Sequence, residues 1–191
     1  MFSDESTFPT IRTTSRCVRR PKHSDRNNPR YTIKTVKHPD SVTVWGAFSG
    51  SGGRNGLHFL SKNSKMNSKQ YLNVLKQDLI PSMETHECDH FLQDSAPCHK
   101  GTVVTQLLEQ QKFDLIEWPG NSPDLNPIEH CWSIMKEKMK NKNTSSITLL
   151  TQEIKSMWNT YITPSYCEIL SKSMPGRLKK VIARKGQMTK Y

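Results

Sequence analysis

The chain has 191 residues and a mass of 22.0 kDa, the size of one large domain able to bury a core without disulfides, and no stretch approaches the roughly 18 apolar residues of a membrane span. Hydrophobic residues make up 34% and mean hydropathy is −0.71, polar for a globular protein yet too rich in Trp, Phe and Ile/Leu segments for wholesale disorder. The formal net charge of +11 sits in two runs: nine Lys/Arg against two acids over 11–40, and seven against none over 171–191, which leaves the remainder mildly acidic.

The opening MFSDESTFPT has no basic region, apolar run or cleavage site, so no secretory signal is expected, and Thr7, Phe8, Ile11, Thr13 and Thr14 favour extended structure. Residues 19–30, RRPKHSDRNNPR, read as an irregular basic loop broken by Pro21 and Pro29. YTIKTVKH (31–38) alternates as a strand. SVTVWGAFS (41–49) is the clearest strand, stopped by glycines 50, 52 and 53, with GLHFL (56–60) as its hairpin partner. From Asn67, Tyr71, Leu72, Leu75, Leu79 and Ile80 recur at helical spacing, and Pro81 is expected to end that helix.

HFLQD (90–94) predicts a short strand, 101–111 an amphipathic helix, and FDLIEW (113–118) a further strand closed by Pro119. NSPDLNPIEHCWSIMKEKMK opens on Pro123 and Pro127 and continues as a helix with Ile128, Trp132, Met135 and Met139 on one face. Helical segments at 147–162 and 164–184 complete the chain. Strands first, then strand–helix–strand–helix, predict a single α/β domain over 1–191: a mixed sheet flanked by helices. Trp45, Trp118, Trp132 and Trp158 are assigned to the core or its edge; His99, close to Asp94, is read first as an ordinary polar loop residue and otherwise as a contact to a phosphate or the site. Five scattered cysteines without a C-x-x-C pair argue for a reducing compartment, and Cys88/His90 and His130/Cys131 are too closely spaced for a zinc finger.

Two basic arms on a mildly acidic body suit a polyanion partner, since Lys/Arg side chains displace counterions from phosphates. The candidate DNA contacts are Arg19, Arg20, Lys22, Arg26 and Arg30 in the loop, and Arg177, Lys179 and Lys180 near the C-terminus. A basic tail that serves only solubility is the plainer alternative.

Three acids occupy places where chemistry could gather. Asp4 lies in a strand-like segment, Asp94 ends a short apolar strand, and Glu129 falls in the first turn of a helix. Carboxylates brought together repel unless they bind cations, and two divalent ions about 3.5–4 Å apart can align attacking and leaving oxygens on phosphorus. Oxygen ligands without a Cys/His set favour Mg²⁺ or Mn²⁺. Each acid also has a plain structural reading: Asp4 as a surface acid, Asp94 as a turn cap, Glu129 as a capping-box acid behind Asn126 and Pro127. Asp124 is the rival third carboxylate, read as a turn former.

FSDESTF, SVTVWGAFS, FLQDSAPCH and WPGNSPDLNPIEHCW, in that order, resemble the catalytic domain of the Tc/mariner-type transposases, and SMPGRLKKVIARKGQMTKY resembles the C-terminus of their Tc-like branch. The 34 residues between Asp94 and Glu129 match the branch whose triad ends in Glu. The resemblance implies a ribonuclease H-like fold, with Asp4, Asp94 and Glu129 as catalytic and metal-binding residues for two Mg²⁺ or Mn²⁺ ions. It also implies DNA strand cleavage and strand transfer in the nucleus on double-stranded DNA, as a homodimer and without a small-molecule substrate. Residues 19–30 take the place of that family's clamp loop, and 164–191 form a helical basic C-terminus. The family's upstream helix-turn-helix modules have no counterpart here, and only three residues precede Asp4, so its strand is expected to be curtailed. A catalytically inert DNA-binding descendant of a transposon is the alternative function.

Overall fold

The computed structural model describes residues 1–10, 20–25, 28–31, 39–62, 64–116, 118–120 and 122–189. Strand β1 (Phe2–Pro9) pairs antiparallel with β2 (Ser41–Phe48), in a register running from Phe2↔Phe48 to Pro9↔Ser41. The far edge of β2 carries β3 (His58–Phe59), also antiparallel. On the other side, β4 (His90–Phe91) pairs parallel with β5 (Asp114–Leu115). The two ladders meet at a parallel bridge between Phe2 and Leu92. There the Ser3 N–H donates to the Leu92 carbonyl at 3.2 Å, and the Leu92 N–H to the Met1 carbonyl at 2.9 Å. The strand order is therefore β3-β2-β1-β4-β5, with β1 in the middle.

Alternation along β2 sorts the core into two layers, because successive side chains point to opposite faces. Val42, Val44 and Phe48 pack with α4 (Ile128–Lys138), α5 (Ile147–Tyr161) and α6 (Pro164–Lys172). Trp45 and Ala47 face the other way, against α1 (Ser68–Val74), the π-helical turn Leu75–Leu79, α2 (Ile80–Thr85) and α3 (Thr102–Glu109). α7 (Met174–Ala183) follows α6. In the first layer Trp132 stacks on Trp158 with ring centroids 5.5 Å apart, and Phe8 meets Trp132 edge-on at 6.3 Å. Gly46 makes room for that stack: a Cβ there would lie 3.0 Å from the Trp132 ring and 3.2 Å from the Trp158 ring. Gly46 is also the cross-strand partner of Asp4, so the space it leaves lies beneath the candidate site.

Three expectations change, and a fourth falls almost wholly outside the described residues. Asp4 does not end its strand: β1 extends forward from Asp4 to Pro9, and all eight of its residues are in register with β2. Pro81 does not end its helix, which continues to Thr85. A proline lacks an N–H and crowds the carbonyl four residues back. The preceding turn widens to π spacing, with the Ile80 N–H bonding to the Leu75 carbonyl, and the proline is accommodated. The helix expected over 164–184 divides at Ser173, where Pro175 suits the first turn of a new helix. Of the strand expected at 31–38, Tyr31 closes a 3₁₀ turn, Pro29–Tyr31, and 32–38 lie outside the described residues, as do Ile11, Thr13 and Thr14.

Candidate active site

Asp4 and Glu5 are consecutive on β1, so the pleat sends them to opposite faces of the sheet. Asp4 points to the α4 side, where Trp132 donates its indole N–H to Oδ2 at 3.1 Å. Glu129 lies in the first turn of α4. Asn126 fixes where that helix begins: its amide donates to the Ser3 carbonyl at 3.1 Å, and its Oδ1 accepts from the Ile128 N–H at 3.4 Å. The start of α4 is thus tied to the residue before Asp4. Pro127, expected as the first helical residue after an Asn126 cap, occupies the cap position, so the helix begins one residue later, at Ile128. Asp94 follows β4 at the end of the sheet, and its Oδ1 accepts from the Ala96 N–H at 3.0 Å.

All three acids border one cleft of about 450 Å³, together with Asn126, Trp118 and the Ser95–Pro97 turn. Their charges are set differently. Burial first, then the nearby carboxylates of Glu129 and Glu5, push the Asp4 pKa up to about 8. Burial also raises that of Glu129, partly offset by Lys136 and by a hydrogen bond with Asp4. Asp94 moves the opposite way, held below the ordinary carboxylate range chiefly by its hydrogen bond with His99. Burial opposes a charge on His99, but the hydrogen bonds to Asp94 and Glu5 prevail and raise its pKa to about 10.

The donor set suits a hard divalent cation. It consists of carboxylate oxygens, and burial shifts Asp4 and Glu129 toward the protonated form at a place where positive charge would favour their ionisation. Among the described residues no three His, Cys, Asp or Glu side chains close into a ready-made cage; the acids line separate walls of the cleft and meet through it.

The remaining expected site residues divide. Arg20, Lys22, Arg30, Lys179 and Lys180 are exposed, while Arg19 and Arg26 lie outside the described residues. Arg177 is not a surface phosphate contact: it is 1% exposed, and its guanidinium donates to the Asp124 carbonyl at 3.0 Å and to Ser173 Oγ at 2.9 Å, with His130 Nδ1 at 3.3 Å. One arginine of the basic run is thereby used to hold α7 against the loop that leads into α4. Asp124, the rival third carboxylate, accepts from the Thr189 N–H at 2.7 Å and from Thr189 Oγ1 at 2.8 Å, a structural engagement away from the cleft shared by the other acids. Trp45, Trp132 and Trp158 are core, but Trp118 is half-buried at the rim of the cleft.

His99 is no ordinary loop residue, being buried between two carboxylates. Sequence reasoning does not reach Glu5, and it gives Asn126 only a capping role and Trp132 only a place in the core. For Glu5, the period-2 alternation next to Asp4 was the available signal; the contacts of Asn126 with Ser3 and of Trp132 with Asp4 span more than 120 residues and leave no local trace.

Residues 1–150 match the family model described as the DDE superfamily endonuclease. The chain is 33% identical to the Tcb2 transposase of Caenorhabditis briggsae over 196 residues, covering 100% of this chain and 70% of that protein. It is 33% identical to the Tc1 transposase of Caenorhabditis elegans over 195 residues, with the same coverage. Among solved structures, the Mos1 mariner paired end complex with Mn superimposes with a TM-score of 0.80 at 18% identity, over 98% of this chain and 56% of that one. The catalytic domain of the Mos1 mariner transposase superimposes with a TM-score of 0.69 at 19% identity, over 83% of this chain and 80% of that one. The chain thus spans little more than half of the Mos1 chain in the paired end complex, and the shared fold is the ribonuclease H-like one.

Proposed function

The chain belongs to the DDE superfamily endonucleases, among the Tc1- and Tc3-like transposases, and from that premise we propose that Asp4, Asp94 and Glu129 bind two Mg²⁺ or Mn²⁺ ions to cleave and rejoin DNA strands. The observation that carries this reading is the meeting of three carboxyls on one cleft in opposed states: Asp94 is held below the ordinary range by its hydrogen bond with His99, while burial raises Asp4 and Glu129, with repulsion from Glu129 and Glu5 adding to the rise of Asp4. A cluster of this kind gains most from a cation. Bound there, the ions would lower the pKa of the attacking hydroxyl group and offset charge on the phosphate.

The chain's own residues have distinct parts. Asp94 offers Oδ2, since Oδ1 is engaged by His99 and the Ala96 N–H. Asp4, its Oδ2 steadied by Trp132, would hold a cation in its ionised form. Glu129 is carried into place by the Asn126 tie between α4 and β1. In the first step, water attacks the phosphodiester at an element's end, forming one P–O bond and breaking the bond to the 3′-oxygen, which leaves as a 3′-hydroxyl opposite a 5′-phosphate. In the second, that 3′-hydroxyl attacks a target phosphodiester, exchanging one P–O bond for another, with no covalent bond to protein. The exposed Arg20, Lys22, Arg30, Lys179 and Lys180 are assigned to phosphate contacts, which position the duplex without reading its sequence. We also assign the active form to a homodimer working on chromosomal DNA in the nucleus.

Asp94→Asn tests the reading. Mn²⁺-dependent nicking of plasmid DNA should fall at least ~10³-fold, about 4 kcal/mol of barrier, while DNA binding stays near the parent level. Nicking at the parent rate would overturn the assignment.

A further inference from the structure

Beyond the three acids, the structure contains a buried link between two of them. We propose that Glu5 and His99 form a positioning bridge that holds Asp94 at a fixed distance from the strand carrying Asp4. The spacing of the two aspartates is then built into the fold before any cation arrives. The inference rests on the reading of Asp94 as a metal ligand.

The His99 side chain is 2% exposed, and both ring nitrogens are engaged: Nδ1 lies 2.7 Å from Asp94 Oδ1, and Nε2 3.2 Å from Glu5 Oε1. Its ring lies over that of Tyr71, with centroids 4.0 Å apart and planes 31° from parallel. Tyr71 is itself fully buried, and its hydroxyl donates to the side chain of Gln93, the residue before Asp94. The His99 N–H closes the turn onto the Ala96 carbonyl at 3.0 Å. The imidazole therefore has one available orientation, fixed at both edges and on one face.

Asp94 needs such support. Its side chain is 50% exposed and follows a strand of only two residues, so packing alone does not select its rotamer. Glu5 is the opposite case: its side chain is 17% exposed, and it sits on the central strand, paired with Trp45. The bridge transfers the rigidity of β1 to Asp94. Because Glu5 adjoins Asp4 in sequence, the route from one aspartate to the other runs through one peptide link and one imidazole. Neither His99 nor Glu5 lines the cleft of the three acids, so their part is to position Asp94. Carboxylates that ligate metals are commonly oriented in this way by outer hydrogen bonds, whose loss typically lowers metal affinity about 10–100-fold.

The experiment compares the full chain with His99→Ala, Glu5→Ala, the double variant and Asp94→Asn. It measures Mn²⁺ binding by titration and plasmid nicking at saturating Mn²⁺. His99→Ala and Glu5→Ala should each weaken Mn²⁺ binding by roughly 10–100-fold. Each should also lower the nicking kcat by up to about 10²-fold, the scale of a 1 Å misplacement, with KM for DNA unchanged. The double variant should be little worse than either single one, since both break the same link. Glu5→Ala changes no residue of Asp94 or its turn, so it decides the matter alone if His99→Ala fails to fold. Parent-like Mn²⁺ affinity and nicking in Glu5→Ala, beside an inactive Asp94→Asn, would overturn the bridge and leave the catalytic reading standing. An active Asp94→Asn would overturn the catalytic reading itself.

Discussion

Asp4 lies on β1, Asp94 lies just past the neighbouring strand β4, and both border one cleft, yet the protein treats their carboxyl groups in opposite ways. Asp4 sits within an eight-residue strand, with an indole N–H as its side-chain donor, and its pKa rises to about 8. Asp94 sits just past a two-residue strand, half-exposed, and is held ionised by His99. One carboxylate is stored as an anion and the other as an acid. A site built this way avoids placing uncompensated negative charges together in the folded protein, while keeping one fixed anion to attract the first cation.

The comparison is sharpest in metal-free stability, where the two Asp→Asn variants should move in opposite directions. The folded-state pKa of Asp4 lies above its ordinary value of 3.8, so the folded protein binds the extra proton between pH 4 and 8 and loses stability as pH rises through that window. Asp4→Asn should match the parent near pH 4 and gain progressively to pH 8, raising the melting temperature there by on the order of 5 °C. Asp94 has a lowered pKa, so its contribution is present above 3.8 and lost as pH falls through the folded value. Asp94→Asn should cost about 1 kcal/mol at neutral pH, a figure kept small because half-exposed pairs are screened. Melting curves from pH 4 to 9 check both, and a parallel response of the two variants would break the comparison.

A smaller effect isolates the indole. Trp132→Phe removes the donor to Asp4 and leaves Asp94 untouched, so the Asp4 pKa should climb further. The loss of ring volume lowers stability equally at all pH values. The missing charge-assisted bond should add about 1 kcal/mol at pH 9 relative to pH 5. Equal losses at the two pH values would show that the indole does not support the ionised carboxylate.

What the sequence revealed follows the range of the interactions involved. β2 was legible because Val42, Val44, Trp45 and Phe48 alternate between two dry layers, and α4 because Ile128, Trp132, Met135 and Met139 repeat at helical spacing. The three acids stood out through their places at strand and helix ends and through the ordered motifs around them. The Pro81 and Ser173 misreadings are both proline effects: one was absorbed by a π turn, and the other began a helix in place of continuing one. Arg177 was misread because charge composition does not distinguish an exposed basic residue from one drawn inward by Asp124 and Ser173. The burial of His99 is illegible in the sequence for a similar reason, since its partners Glu5 and Asp94 meet only once β1 and β4 lie side by side.

The central claim is that Asp4, Asp94 and Glu129 together hold divalent cations. Anomalous diffraction from crystals of this chain soaked in Mn²⁺ tests it most directly. The account predicts two manganese peaks in the cleft, within coordinating distance of those three carboxyl groups and absent from Asp94→Asn crystals. Manganese bound elsewhere, or peaks that persist unchanged in Asp94→Asn, would contradict it.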